Sequence, residues 1–141
     1  MKKRRIIPTE AQEQMAVVQW WQRYAPTKGL DPRLLCCSAN GAILAGDARR
    51  RAMQMNKLKK MGLVPGDPDL FLRVNRGKTF SGLFIEMKRR NWVMPAPGKG
   101  DAHFREQRVM LALLRNHYCA SFCAGADEAI SLIKEYVELE P

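Results

Sequence analysis

The stretch GLFIEMK, residues 82–88, limits what this chain can become more than any other. Leu83, Phe84, Ile85 and Met87 form an almost unbroken apolar run, the composition of a strand covered on both faces. Side chains alternate along a strand, so Leu83, Ile85 and Met87 take one face while Phe84, Glu86 and Lys88 share the other. Charges on such a strand are tolerated only when paired, exposed or bound to an ion. Upstream, DLFLRV reads as a strand from about Asp69 to Val74, and NRGK (Asn75 to Lys78) as the hairpin-like turn that makes the two strands antiparallel neighbours. A short hairpin brings Asp69, at the start of one strand, beside Glu86, near the end of the other. Neighbouring carboxylates repel, and a divalent cation with a preference for oxygen ligands relieves that repulsion. A plainer arrangement uses the same residues: Asp69 caps a turn, and Glu86 and Lys88 form a rim ion pair.

The rest of the chain supplies helices and two more strands. Thr9 with Gln12 fits a capping box for EAQEQMAVVQWWQRYA, where Met15, Val18, Trp21 and Ala25 share a stripe that ends near Pro26. RLLCCSA reads as a short buried strand closed by the turn dipeptide Asn40-Gly41. Asp47 can cap a basic helix in which Ala48, Ala52, Met55 and Leu58 keep helical spacing until Gly62. NWVMPAPGKGDAH is the longest loop, FREQRVMLALLRNH a helix with Phe104, Gln107, Leu111 and Leu114 on one face, and YCASFCAG a further strand. DEAISLIKEYV closes the chain as a helix with Ile130, Ile133 and Val137 inward. The fold class is α/β, a mixed central sheet flanked by helices in the order αβαββαβα.

The 141 residues, 46% of them hydrophobic, suit a flexible basic arm over residues 1–8 and a single domain over 9–141. With 24 Lys and Arg against 14 Asp and Glu the net charge is +10, which favours a polyanionic partner, nucleic acid first. The excess gathers in KKRR (Lys2 to Arg5) and in one helix carrying Arg49, Arg50, Arg51, Lys57, Lys59 and Lys60; the alternative for that helix is a solvated face. No apolar run approaches the roughly 18 residues of a membrane span, and the basic start lacks the apolar stretch of a signal peptide, so a soluble, cytoplasmic protein is expected. Cys36, Cys37, Cys119 and Cys123 sit in apolar stretches, as reduced core cysteines do; a four-thiolate zinc site fits poorly because adjacent Cys36 and Cys37 point to opposite faces. Trp20, Trp21 and Trp92 can pack in a core or interface, with base stacking reserved for Trp92. His103 and His117 can shuttle protons, or simply cap and face solvent.

GLVPGDPDLFLRV, GLFIEMKRR and FREQRVMLALL together resemble the VRR-NUC (virus-type replication-repair nuclease) branch of the PD-(D/E)XK nuclease superfamily. The resemblance runs from TEAQEQMAVVQWW to YCASFCAGADEAISLIKEYV. It implies a restriction-endonuclease-like core in which Asp69 and Glu86 are metal ligands, the Met87 carbonyl is a further ligand, and Lys88 orients or activates the attacking water. Gln107 matches the motif glutamine that touches water or phosphate. Glu10 matches the acidic position of the first helix, with Glu13 three residues on as its competitor. One departure stands out: GKGDAHFREQ replaces the Ser/Thr/Pro-type helix start common before that glutamine.

By the same resemblance the protein is a metal-dependent, structure-selective DNA endonuclease using Mg²⁺, for which Mn²⁺ substitutes, and leaving 5′-phosphate and 3′-hydroxyl ends. Arg49, Arg50, Arg51, Lys57, Lys59, Lys60, Arg89 and Arg90 are the expected nucleic-acid contacts. Holliday-junction resolution in viral or bacterial replication and repair by a homodimer is the first expectation, the apolar surplus of helix one with both tryptophans being the dimer surface. Flap or fork cleavage competes with it. A non-catalytic DNA-binding module on the same fold is the reading from a different class, and a sequence-specific restriction enzyme has too little chain for a base-reading insertion.

Overall fold

Thr9 opens the first helix with the reciprocal capping box its sequence suggests: its hydroxyl accepts from the Gln12 backbone N–H at 3.1 Å, and its own N–H donates to Gln12 Oε1 at 2.9 Å. In the computed structural model, which describes residues 4–38 and 44–141, this helix is α1, Glu10–Thr27. It is followed by β1 (Leu35–Cys37), α2 (Ala48–Lys60), β2 (Leu70–Leu72), β3 (Leu83–Lys88), α3 (Ala102–Leu114), β4 (Cys119–Ala124) and α4 (Ala126–Glu138). Lys2 and Lys3 of the basic arm and the Asn40-Gly41 turn lie outside the described residues.

The four strands form one sheet in the order β1-β2-β3-β4, antiparallel at the first two pairings and parallel between β3 and β4. The αβαββαβα order and the mixed sheet follow the sequence. On one face α1 and α4 pack over Leu83, Ile85 and Met87, with Val17, Trp21, Ile133 and Tyr136 in the same core. On the other face α3 covers Phe84 through a smaller cluster of Phe104, Leu111, Ala120 and Phe122. Glu86 and Lys88 therefore sit under α3, on the side of the sheet with the thinner apolar cover.

Several elements differ from expectation, each for a local reason. Pro32–Leu34 is a 3₁₀ turn capped by Asp31, whose side chain accepts from the Arg33 N–H, so β1 starts only at Leu35. β2 stops at Leu72: pairing resumes only at the Arg76–Phe80 bridge, one residue out of register with Leu72–Leu83, and the mismatch interrupts the ladder as a bulge does. The turn itself places both Gly77 and Lys78 at positive φ, 64° and 61°. On α1 the buried stripe is Glu13, Val17, Trp21 and Ala25, while Met15 is 56% exposed. Pro26 is accommodated inside the last turn rather than ending the helix.

Trp21 is interior and donates its indole N–H to the Pro32 carbonyl at 2.9 Å. It therefore cannot belong to a surface offered to a second copy; Trp20, stacked on Tyr24 at 4.5 Å, is only half-buried. All four cysteines are free, but Cys37 is exposed rather than in the core. Cys123 is buried, and burial pushes its thiol up to about 12. α2, capped by Asp47 as expected, buries none of its side chains fully, and of its predicted inward residues Met55 and Leu58 are half-buried while Ala48 and Ala52 are exposed. Among the described residues no helix is long and apolar enough to cross a membrane.

Candidate active site

β2 and β3 carry the site through their register. One step beyond the pair Leu70–Ile85 the antiparallel ladder sets Asp69 opposite Glu86. Asp69 is locked there by an unusual bond for a side chain: its Oδ2 accepts the Met87 backbone N–H at 2.7 Å. Glu86 is 3% exposed and Lys88 9%. Gln107 of α3 spans them. Its Oε1 accepts from Lys88 Nζ at 2.8 Å, and its Nε2 donates to Glu86 Oε1 at 2.6 Å.

The other carboxylate oxygen, Glu86 Oε2, is buried with no hydrogen-bond partner among the described residues. Burial is the main reason the Glu86 carboxyl is pushed up to about 9; Asp69 beside it and Glu10 add to the rise and Lys88 opposes it. A proton or a cation is what such a group needs. Lys88 is steadied from a second direction, with Nζ 5.8 Å from the ring centroids of both Trp92 and Phe122. Trp92 packs in turn on Phe122 and Phe104, so it belongs to the wall of the site.

These groups open into a hollow of about 350 Å³ lined by Glu10, Asp67, Asp69, Glu86, His103 and Gln107, with Lys59 and Met55 of α2 on its far side. A larger hollow of about 890 Å³ runs between α1 and β1, but its lining is mainly apolar and it reaches only Asp69 of the site. The titratable groups converge in the smaller one.

The two acidic residues of α1 part company. Glu10 lines the hollow. Glu13 is buried elsewhere: its Oε1 accepts from Arg90 Nη2 at 2.5 Å and its Oε2 from the Ala126 N–H, at the start of α4, at 3.1 Å. Gly125 is fitted to this junction, at φ 89°, because a Cβ there would stand 2.6 Å from Glu13 Oε2. Arg89 donates to the Ile7 and Pro8 carbonyls at 2.9 and 3.1 Å. Arg89 and Arg90, expected on nucleic acid, thus tie the start of α1 to the end of β3. Arg49, Arg50, Arg51, Lys57 and Lys60 are exposed on α2 outside the hollow.

The Gly/Asp-rich approach to α3 also has a simple solution: Asp101 is the cap, accepting from the Phe104 N–H at 2.7 Å. Asp67, raised by burial, carries no motif signal of its own in the sequence, though its place two residues before Asp69 across Pro68 puts it on the same loop.

The donors present fit a hard divalent cation. Among the described residues no three His, Cys, Asp or Glu side chains stand close enough to hold a metal alone. Mg²⁺ does not ask for that, since it is commonly held by one or two carboxylates with water and phosphate oxygens completing its shell. The orphaned Glu86 Oε2 beside Asp69 is an acceptor that such an ion would satisfy.

No family model matches this sequence, and no curated protein does. Among solved structures, one described as a "VRR_NUC domain protein" superposes with a TM-score of 0.70 over 94% of this chain and 91% of its own, at 27% identity. The likeness spans nearly the whole of both chains and supports a VRR-NUC domain, with a sheet and flanking helices consistent with a PD-(D/E)XK-like fold.

Proposed function

We propose that the protein is a divalent-metal-dependent DNA endonuclease acting on branched DNA, with Holliday junctions the leading substrate. The observation that carries this reading is the orphaned Glu86 Oε2, buried beside Asp69, with a lysine and a glutamine fixed around it. A pure binding module has no use for a buried carboxyl aimed where phosphate docks, because phosphate and carboxylate repel.

Asp69 and Glu86 would hold the cation, with the Met87 carbonyl as the further ligand its place between Glu86 and Lys88 suggests. When bound there, a divalent cation acidifies water and neutralises charge on the phosphate undergoing attack. Lys88 brings a fixed positive charge to the same place, held by Gln107 so that little reorganisation is needed as charge develops. Glu10, on the rim, supplies a carboxylate for an outer water. Lys59 and the exposed cations of α2 hold flanking phosphates without reading sequence. A two-fold dimer would set one site on each of two symmetry-related strands.

The test uses labelled four-way junction, flap, duplex and single-stranded DNA with Mg²⁺, Mn²⁺ or EDTA. We expect metal-dependent, paired nicks in the junction, reduced about a hundredfold or more by Asp69→Ala and by Lys88→Ala. Fastest cutting of the flap would move the protein to the flap and fork class. Tight binding without cutting by the wild type would make it a DNA-binding module.

A further inference from the structure

We propose that His103 is a positioning residue of this site, one that holds the Gln107 amide and through it both Glu86 and Lys88. The proposal rests on the nuclease reading for its catalytic consequence, and on geometry for the contact itself.

Gln107 is 5% exposed, and its two bonds leave no freedom in how the amide is turned. Flipped, it would set its NH₂ against the Lys88 ammonium, a repulsive contact in place of an attractive one. The amide nitrogen therefore faces Glu86 and has a second proton to place. A buried N–H left without an acceptor is costly. His103, one helical turn earlier on α3, has its Nε2 3.2 Å from that nitrogen.

Two donors do not meet at such a distance, so Nε2 is the acceptor. The imidazole is then neutral with its proton on Nδ1. The result is a chain from His103 through Gln107 that splits to the carboxyl and the lysine. Two bonds fix which way the amide faces; the third keeps it from swinging about the end of a flexible side chain. His103 is exposed at the mouth of the hollow, so replacing it opens no core. Spacing of four on a helix is enough to bring these two side chains together.

The contact can be read without any reaction. In ¹⁵N-labelled, metal-free protein, the His103 ring should show an unprotonated Nε2 and a protonated Nδ1, and His103→Ala should move the Gln107 side-chain amide resonances and speed their exchange with water while the Tm falls by a few degrees at most. In cleavage assays on the best DNA substrate, His103→Ala should lower kcat about tenfold with KM unchanged, the size of one hydrogen bond removed from the transition state. His103→Asn, whose carbonyl can accept from the same NH₂, should recover much of that activity, whereas His103→Leu should not. A protonated Nε2, Gln107 resonances that ignore His103→Ala, or a kcat within about twofold of wild type in the alanine variant would each overturn the proposal. If the wild type cuts no DNA at all, the nuclease reading falls by itself, and the ring and amide resonances alone decide whether His103 holds Gln107.

Discussion

Glu86 is a carboxyl the fold prefers to keep neutral. Its folded pKa of about 9 stands above the ordinary value of 4.5, so the folded state binds a proton that the unfolded chain releases. The contribution of Glu86 to stability is fully present below 4.5 and is withdrawn as pH climbs toward 9. Thermal denaturation of the metal-free protein should show this decline between pH 6 and pH 8, and Glu86→Gln should flatten it. Saturating Mg²⁺ should flatten it as well, because the cation takes the place of the proton. Equal slopes in wild type and Glu86→Gln would show that another group governs the pH response. The same residue explains why the site is partly legible in the sequence: two charges on an apolar strand are conspicuous, and the alternation of side chains alone puts them on one face. His103 carries no comparable signal, since a lone histidine at a helix start is ordinary until its distance to Gln107 is known.

At the level of elements, α1 shows what periodicity conceals. Its buried stripe begins with Glu13, a residue that a search for apolar spacing discards, so Met15 takes its place in the sequence reading and the stripe shifts. Glu13 is inside because two partners from distant segments, Arg90 and the first N–H of α4, satisfy it; neither is visible from a single helix. The choice between Glu10 and Glu13 has the same origin. Replacing Glu13 with Ala should lower unfolding free energy by about 2–3 kcal/mol, the worth of its charged hydrogen bonds. Glu10→Ala should leave the denaturation midpoint unchanged and slow cleavage. Chemical denaturation of both variants checks this directly, and a stable Glu13→Ala protein would mean that Arg90 and α4 do not depend on it. Strand ends are less legible than strands: the 3₁₀ turn at Pro32 and the register mismatch past Leu72 are settled by which backbone groups meet across the sheet.

Across the whole molecule, a net charge of +10 is divided between cations the fold uses and cations it leaves in water. Arg89 and Arg90 belong to the first group, and Arg49, Arg50 and Arg51 to the second. Replacing those three arginines with Gln should weaken DNA binding at every sequence tested and make log K against log salt shallower by about 0.9 for each duplex phosphate that is no longer neutralised. Fluorescence titration at several salt concentrations measures it, and an unchanged slope would remove α2 from the interface. α2 has a further property that follows from burying no side chain fully while bordering the hollow. Little apolar area is exposed when it lifts, so its amides should exchange with solvent through a low-energy local opening, whereas those of β3 and β4 should wait for global unfolding. Exchange of that kind would divide the molecule into two cooperative units of unequal stability, and opening the weaker one would leave the sheet that aligns Asp69 and Glu86 folded.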